Sequence, residues 1–182
     1  MTAMTTLPRS RPLTRADLAA MPEDGHRYEL IDGVLIVTPG PVTHHQRASR
    51  QLLLALSRDV PADLEVFHAP FDVVLADDTV LQPDIVVARQ ADLTAANLPA
   101  APVLAIEILS PSTRHIDLHL KKSRLEEAGC AAYWVVDPGE PSITAWELRG
   151  GRYVEVGHAV GTEVLSVRQP YAVTIRPADL VS

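Results

Sequence analysis

The run Val103-Leu104-Ala105-Ile106-Glu107-Ile108-Leu109-Ser110-Pro111-Ser112-Thr113 constrains this chain more than any other stretch. It reads as a short apolar β-strand, ended by Ser-Pro and running into a helix. Apolar residues on both alternating sets imply that both faces of the strand are covered, as in a sheet with helices on each side. Glu107 sits in the middle of that run. An unpaired buried carboxylate is costly, so Glu107 must be paired, protonated or bound to a cation. A second acid stands in a similar setting at the start of Gln82-Pro83-Asp84-Ile85-Val86-Val87-Ala88. Two strands that each place one carboxylate, followed by a helix carrying Lys121 and Lys122, make a candidate metal site.

The rest of the chain is read around that pair. At 182 residues it is long enough for one domain with a proper core. The expected organisation is a loose N-terminal tail over residues 1–12 and a single domain over 13–182. A formal net charge of -7 argues against general electrostatic capture of DNA or RNA, though not against a local basic patch or one formed by dimerisation. The single Cys130 excludes an intramolecular disulfide framework and a cysteine-rich zinc site. No apolar run approaches the ~18 residues of a membrane span. Met1 to Pro12 has no apolar stretch of the secretory kind, so the expected compartment is the cytoplasm.

Along the chain, Thr14 is placed to cap a short helix through about Met21, with Asp17 near its N-terminus. Asp32-Gly33 between two apolar-rich runs is a hairpin signal. A longer helix starts near Thr43 and runs to about Arg58. Leu52, Leu56 and Val60 form one stripe on it, which His45 and Ser49 extend backwards, so His45 is expected on the core side. Strands are expected at 65–67, 71–75 and 81–88, with a surface connection over 92–102. A helix from about Arg114 to Ala128 ends at Gly129. A buried strand at 132–136, a hairpin around Gly150-Gly151 and short terminal strands complete one α/β (α+β) domain with a mixed sheet.

Each candidate has a plainer reading. Pro-Asp commonly marks a strand start, which weakens Asp84 taken alone. Glu107 is stronger, since a buried apolar strand has little structural use for a carboxylate; its plainer reading is a buried salt bridge to a helix Lys or Arg. Glu29 lies in a hairpin strand and could face solvent. Asp117 and Lys121, four apart on one helix, make a surface ion pair as readily as a site. Lys121 shares a stripe with Leu125, Lys122 shares one with Leu118 and Leu125, and periodicity does not choose between them. Ser110, Ser112 and Thr113 lack the Gly-x-Ser-x-Gly setting of a nucleophile and are better read as helix caps. What remains is two carboxylates and one lysine. Such a set binds a hard divalent cation that polarises a phosphodiester and acidifies its bound water, with the lysine orienting or deprotonating that water or offsetting charge on the phosphate.

The residues carrying this chemistry resemble a known family. Tyr28-Glu29-Leu30-Ile31-Asp32-Gly33, His45-Gln46, Pro83-Asp84-Ile85-Val86, Glu107 to Thr113, Asp117 with Lys121, and Gly129 through Tyr133-Trp134-Val135-Val136-Asp137-Pro138 occur in the order and spacing of the Uma family. These are endonucleases of the PD-(D/E)xK restriction-endonuclease-like superfamily, and the resemblance covers roughly Leu13 to Leu148. It implies a mixed sheet flanked by helices, and an endonuclease hydrolysing nucleic-acid phosphodiester bonds with Mg²⁺ (Mn²⁺ as a substitute). DNA is the expected substrate and a homodimer the expected assembly.

Carried over by position, the resemblance makes Asp84 and Glu107 the paired acids and the carbonyl of Ile108 a further metal ligand. Glu29 is the early glutamate, and His45 lines the site. The usual lysine two places after the second acid is replaced by Leu109, and its role falls on Lys121. The chain departs from the family pattern at Leu125, Cys130 and Ala132, outside the proposed metal site. The rival expectation is a catalytically silent binding or assembly module that keeps the fold and its acids.

Overall fold

The computed structural model describes residues 10–111 and 114–182. Residues 1–9 of the expected tail, and the caps assigned to Ser112 and Thr113, lie outside the described residues. Within the tail, Arg11 hydrogen-bonds to Asp17. Pro12 lies against Gly33, where an added Cβ would come within 2.4 Å of it.

Helix α1 (Arg15–Leu18) is shorter than its expected extent to Met21, and the Thr14 N–H donates to Asp17 Oδ2 at 2.8 Å as its cap. Strands β1 (Arg27–Ile31) and β2 (Val34–Thr38) form the expected hairpin. Asp32 and Gly33 both hold positive φ, 52° and 74°, the conformation that a two-residue turn of this hand requires. Helix α2 (Thr43–Ser57) follows, then β3 (Leu64–His68), β4 (Val73–Ala76), β5 (Thr79–Leu81), β6 (Ile85–Arg89) and β7 (Leu104–Ile108). A π-helical segment, Ile116–Lys121, leads directly into α3 (Lys122–Glu127). The chain closes with β8 (Ala132–Asp137), β9 (Ser142–Arg149), β10 (Arg152–Val160), β11 (Leu165–Val167), β12 (Val173–Ile175) and α4 (Pro177–Leu180).

The strands make a six-stranded sheet ordered β10-β9-β8-β7-β6-β3, a four-stranded sheet ordered β2-β1-β5-β4, and the pair β11-β12. In the six-stranded sheet only β7 and β8 run parallel, so the sheet is mixed as the sequence implies. The terminal strands pair with each other and pack on this sheet through Leu165, Val167, Val173 and Ile175.

The alternation of side chains on β7 explains how both of its faces are buried. Leu104, Ile106 and Ile108 join a cluster with Ala48, Leu52 and Leu56 of α2. Ala105 joins a second cluster with Leu125 of α3, Tyr133 of β8, and Ile31 and Leu81 of the four-stranded sheet. Glu107 belongs by its period-2 position to this second face. It therefore stands where β1, the π-helical segment and the six-stranded sheet converge. No helix among the described residues is long and apolar enough to cross a membrane.

Candidate active site

Glu107, on β7, the third strand from the β3 edge of the six-stranded sheet, is 1% exposed. Its strand neighbour β6 begins beside it in antiparallel register, with Ile85 opposite Ile106, which sets Asp84 at the mouth of the same pair of strands. The Ile108 N–H donates to Asp84 Oδ2 at 2.8 Å and so fixes the second acid against the first strand. The two acids thus stand at the same end of neighbouring strands.

Glu29 does not face solvent; it is buried. On β1 the residues Arg27, Glu29 and Ile31 share one face, and all three turn towards the six-stranded sheet. Glu29 Oε1 accepts the Gln82 N–H at 2.7 Å and lies 2.9 Å from Lys121 Nζ. The Arg27 guanidinium donates to Asp84 Oδ1 at 2.8 Å and to the Gln82 carbonyl at 3.2 Å. His45 points inward from the first turn of α2, as its stripe predicts, and its Nε2 is 3.1 Å from Asp84 Oδ2.

The structure chooses between the two lysines. Lys121 is buried, with Nζ 3.2 Å from Glu107 Oε1 and 3.5 Å from Asp117 Oδ1 in addition to its contact with Glu29. Lys122 instead lies over the Trp146 ring, 3.6 Å from its centroid, on the outer side of the helix. The surface ion-pair reading of Asp117 and Lys121 therefore gives way to a buried one. On the surface, Arg114 pairs with Asp137, Arg124 with Asp32 and Glu127, and Arg47 with the Val181 carbonyl.

Sequence reasoning missed Arg27, Gln82 and Tyr133 as parts of the site. The signal for Arg27 was present, since it stands two residues before Glu29 and shares its face. Tyr133 is buried, and its hydroxyl donates to the Asp117 carbonyl at 2.7 Å. This bond ties β8 to the π-helical segment that carries Lys121.

Electrostatics separates the two acids. Burial opposes the charge on Asp84, but the hydrogen bond from His45, the Arg27 guanidinium and the Ile108 N–H outweigh it and hold the carboxyl down at about 2. Burial pushes Glu107 well above the usual carboxylate range, and the charges of Asp117, Asp84 and Glu29 add to that push against the opposing pull of Lys121. Burial also disfavours the charge on Lys121, yet Glu107, Glu29 and Asp117 more than compensate and raise it, so it is held as an ammonium.

The donor set suits a hard cation by its chemistry. Around the carboxylates of Glu29, Asp84, Glu107 and Asp117 stand the fixed charges of Lys121 and Arg27 and the ring of His45. Glu29 Oε2 is buried without a hydrogen-bond partner. Among the described residues no group of three or more His, Cys, Asp or Glu side chains is gathered as a ready cage. A Mg²⁺ site needs fewer, because that ion keeps several waters and takes one or two carboxylates.

A cleft of about 680 Å³ opens beside Asp84, walled by Arg27, His45, Gln82, Tyr28 and Pro41 among others. Of the site's four acids Asp84 lines it, whereas Glu29, Glu107 and Asp117, like Lys121, do not.

Residues 15–176 match the family Uma2, described as "Putative restriction endonuclease". Among solved structures, the chain is similar to one described as a putative nuclease belonging to DUF820 from Anabaena variabilis. That likeness has 19% identity and a TM-score of 0.75, and it covers 93% of this chain and 98% of the other. At this identity it establishes a shared nuclease-like fold. No curated protein matches the sequence.

Proposed function

The chain belongs to the Uma2 family of restriction endonucleases, and from that premise we propose that it hydrolyses phosphodiester bonds of DNA with the help of Mg²⁺ or Mn²⁺. The observation that supports this most is the buried Lys121 ammonium, 2.9 and 3.2 Å from two carboxylates beside the strand pair that presents Asp84 and Glu107. Asp84, Glu107 and the carbonyl of Ile108 would hold the cation. Bound there, it would polarise the phosphodiester and acidify a water.

The protein's own groups have separable tasks. Arg27 and His45 keep Asp84 ionised and fix its orientation through hydrogen bonds to both of its oxygens. Lys121, already committed as an ammonium, offsets the negative charge that builds on the phosphate oxygens and is a poor proton acceptor. Glu29 positions Lys121. Its other oxygen, without a partner, is the group with capacity to orient a water.

The test is cleavage of plasmid, linear and single-stranded DNA, and of RNA, with Mg²⁺, Mn²⁺ or EDTA. Wild type is run beside Glu107→Gln and Lys121→Met, each checked for folding by circular dichroism. Cutting of DNA that needs metal and disappears in both variants is the expected result. Failure of clean, folded wild type to cut any substrate with either metal would overturn the reading.

A second reading is favoured by one feature: both oxygens of Asp84 and one of Glu107 already have protein partners. A site neutralised from within serves a silent binding or assembly module, for instance a homodimer, without any cation. Thermal melting distinguishes the two. A cation site raises the melting temperature with Mg²⁺ or Mn²⁺, whereas the module's melting temperature does not respond.

A further inference from the structure

The helical segment that carries Lys121 presents two pairs of polar side chains spaced four residues apart, and the acid site uses the inner one. Asp117 and Lys121 are buried, with Asp117 Oδ1 3.5 Å from Lys121 Nζ. His115 and His119 are exposed. Their ring centroids lie 4.6 Å apart, with 51° between the ring planes. Residues four apart are neighbours on any helix, and the i→i+5 bonds of a π-helical turn widen it and bring such residues closer to eclipse.

Among the described residues neither ring makes a hydrogen bond or an ion pair, and each touches the other. The basic residues adjoining the pair have partners of their own, Arg114 with Asp137 and Lys122 over the Trp146 ring. A neutral imidazole offers one nitrogen lone pair in its ring plane, and two imidazoles four apart on one helix face are a donor set that holds zinc. The spacing fits a shared ion. A metal–nitrogen bond of about 2.1 Å sets each ring centroid about 3.2 Å from the ion, so rings about 90–110° apart have centroids about 4.5–5.2 Å from each other. The observed 4.6 Å falls in that range.

From this geometry we propose that His115 and His119 chelate a divalent transition cation of the Zn²⁺ or Ni²⁺ kind, with waters completing its shell, and that the ion braces the segment carrying Lys121. Imidazole nitrogen selects such ions over Mg²⁺, which the acids on the inner side would take through oxygen. The two sites therefore differ in ligand chemistry, and this one does not rest on the nuclease reading. A chelate from His115 to His119 closes over Ile116, Asp117 and Leu118 at the start of the π-helical segment. It cross-links from outside the turn that sets Asp117 against Lys121 on the inside.

The test uses untagged protein in millimolar Mg²⁺, which competes for oxygen sites and leaves imidazole pairs free. Zn²⁺ binding is read by isothermal titration calorimetry for wild type, His115→Ala and His119→Ala. Both positions are exposed on a helix, where alanine is the most favourable residue, so both variants should fold. A chelate needs both rings, so the tightest Zn²⁺ site of the wild type should weaken about tenfold or more in each variant. Zn²⁺ should also slow hydrogen exchange over 114–121 in wild type and in neither variant. Absence of Zn²⁺ binding, or binding unchanged in either variant, would overturn the chelate. Binding that needs both rings but leaves exchange over 114–121 unchanged would overturn the brace.

Discussion

Glu107 and Asp84 sit at the same end of neighbouring strands, yet their carboxyls are driven in opposite directions. Asp84 takes hydrogen bonds on both oxygens, whereas Glu107 meets three other acids and a single shared ammonium. A carboxyl whose native pKa is raised binds its proton more tightly when folded. Stability is then lost as pH climbs from the ordinary value of 4.5 towards the native one. Glu107→Gln removes that loss while keeping the shape. Without metal, the variant should be more stable than wild type at neutral pH in urea unfolding. The gain should shrink at about pH 4, where the wild-type carboxyl is protonated in both states. Metal-dependent stabilisation should vanish with it. A variant less stable than wild type at both pH values would show that Glu107 is held as a settled salt-bridge partner of Lys121. The residues themselves were legible to this extent: an acid inside an apolar strand demands a partner, and that demand identifies Glu107 and, with it, Asp84. Arg27 escaped because an arginine in a hairpin strand carries no such demand until its neighbour Glu29 is known to be buried.

At the scale of the element, the segment between β7 and β8 departs most from its expected form. Periodicity foresees one regular helix over 114–128 and cannot decide which lysine faces inward. The reason is physical. A π-helical stretch changes the angular spacing of side chains, so stripes drawn at 3.6 residues per turn do not carry across it. Within Ile116–Lys121 both Asp117 and Lys121 are buried, while Lys122 opens α3 on the Trp146 side. The end of the helix was legible, since Gly129 takes φ 85° as a helix-terminating glycine does. Tyr133 contributes the bond that anchors the π-helical segment, its hydroxyl reaching the Asp117 carbonyl four residues before Lys121. Tyr133→Phe removes that buried hydrogen bond with little change in core volume. The expected cost is about 1–3 kcal/mol in urea unfolding. Hydrogen exchange should increase most over 116–121; a uniform increase across the domain would mean that the bond merely adds to general stability.

At the scale of the whole molecule, the site is also the joint between the two large sheets. The two-sheet arrangement was not legible, because β1 meets β5 through the single register pair Leu30 with Val80, a long-range contact that no local pattern announces. Asp84 lies at the crossing. It binds Arg27 from the four-stranded sheet, His45 from α2 and the Ile108 N–H from the six-stranded sheet. A carboxyl held at about 2, below its ordinary 3.8, stabilises the fold in full above the ordinary value and releases that stability as pH falls through the native one. The displacement corresponds to roughly 2 kcal/mol, withdrawn across the acid range from about pH 5 to pH 2. Because three elements share this carboxylate, its protonation loosens the contact between the sheets and does not merely remove one surface pair. Asp84→Asn should therefore be less stable than wild type at neutral pH, with a shallower dependence of stability on pH on the acid side. Urea unfolding at a series of pH values measures both. An Asn variant whose acid limb is as steep as that of the wild type would assign acid unfolding to other carboxylates and leave Asp84 as a ligand without a structural share.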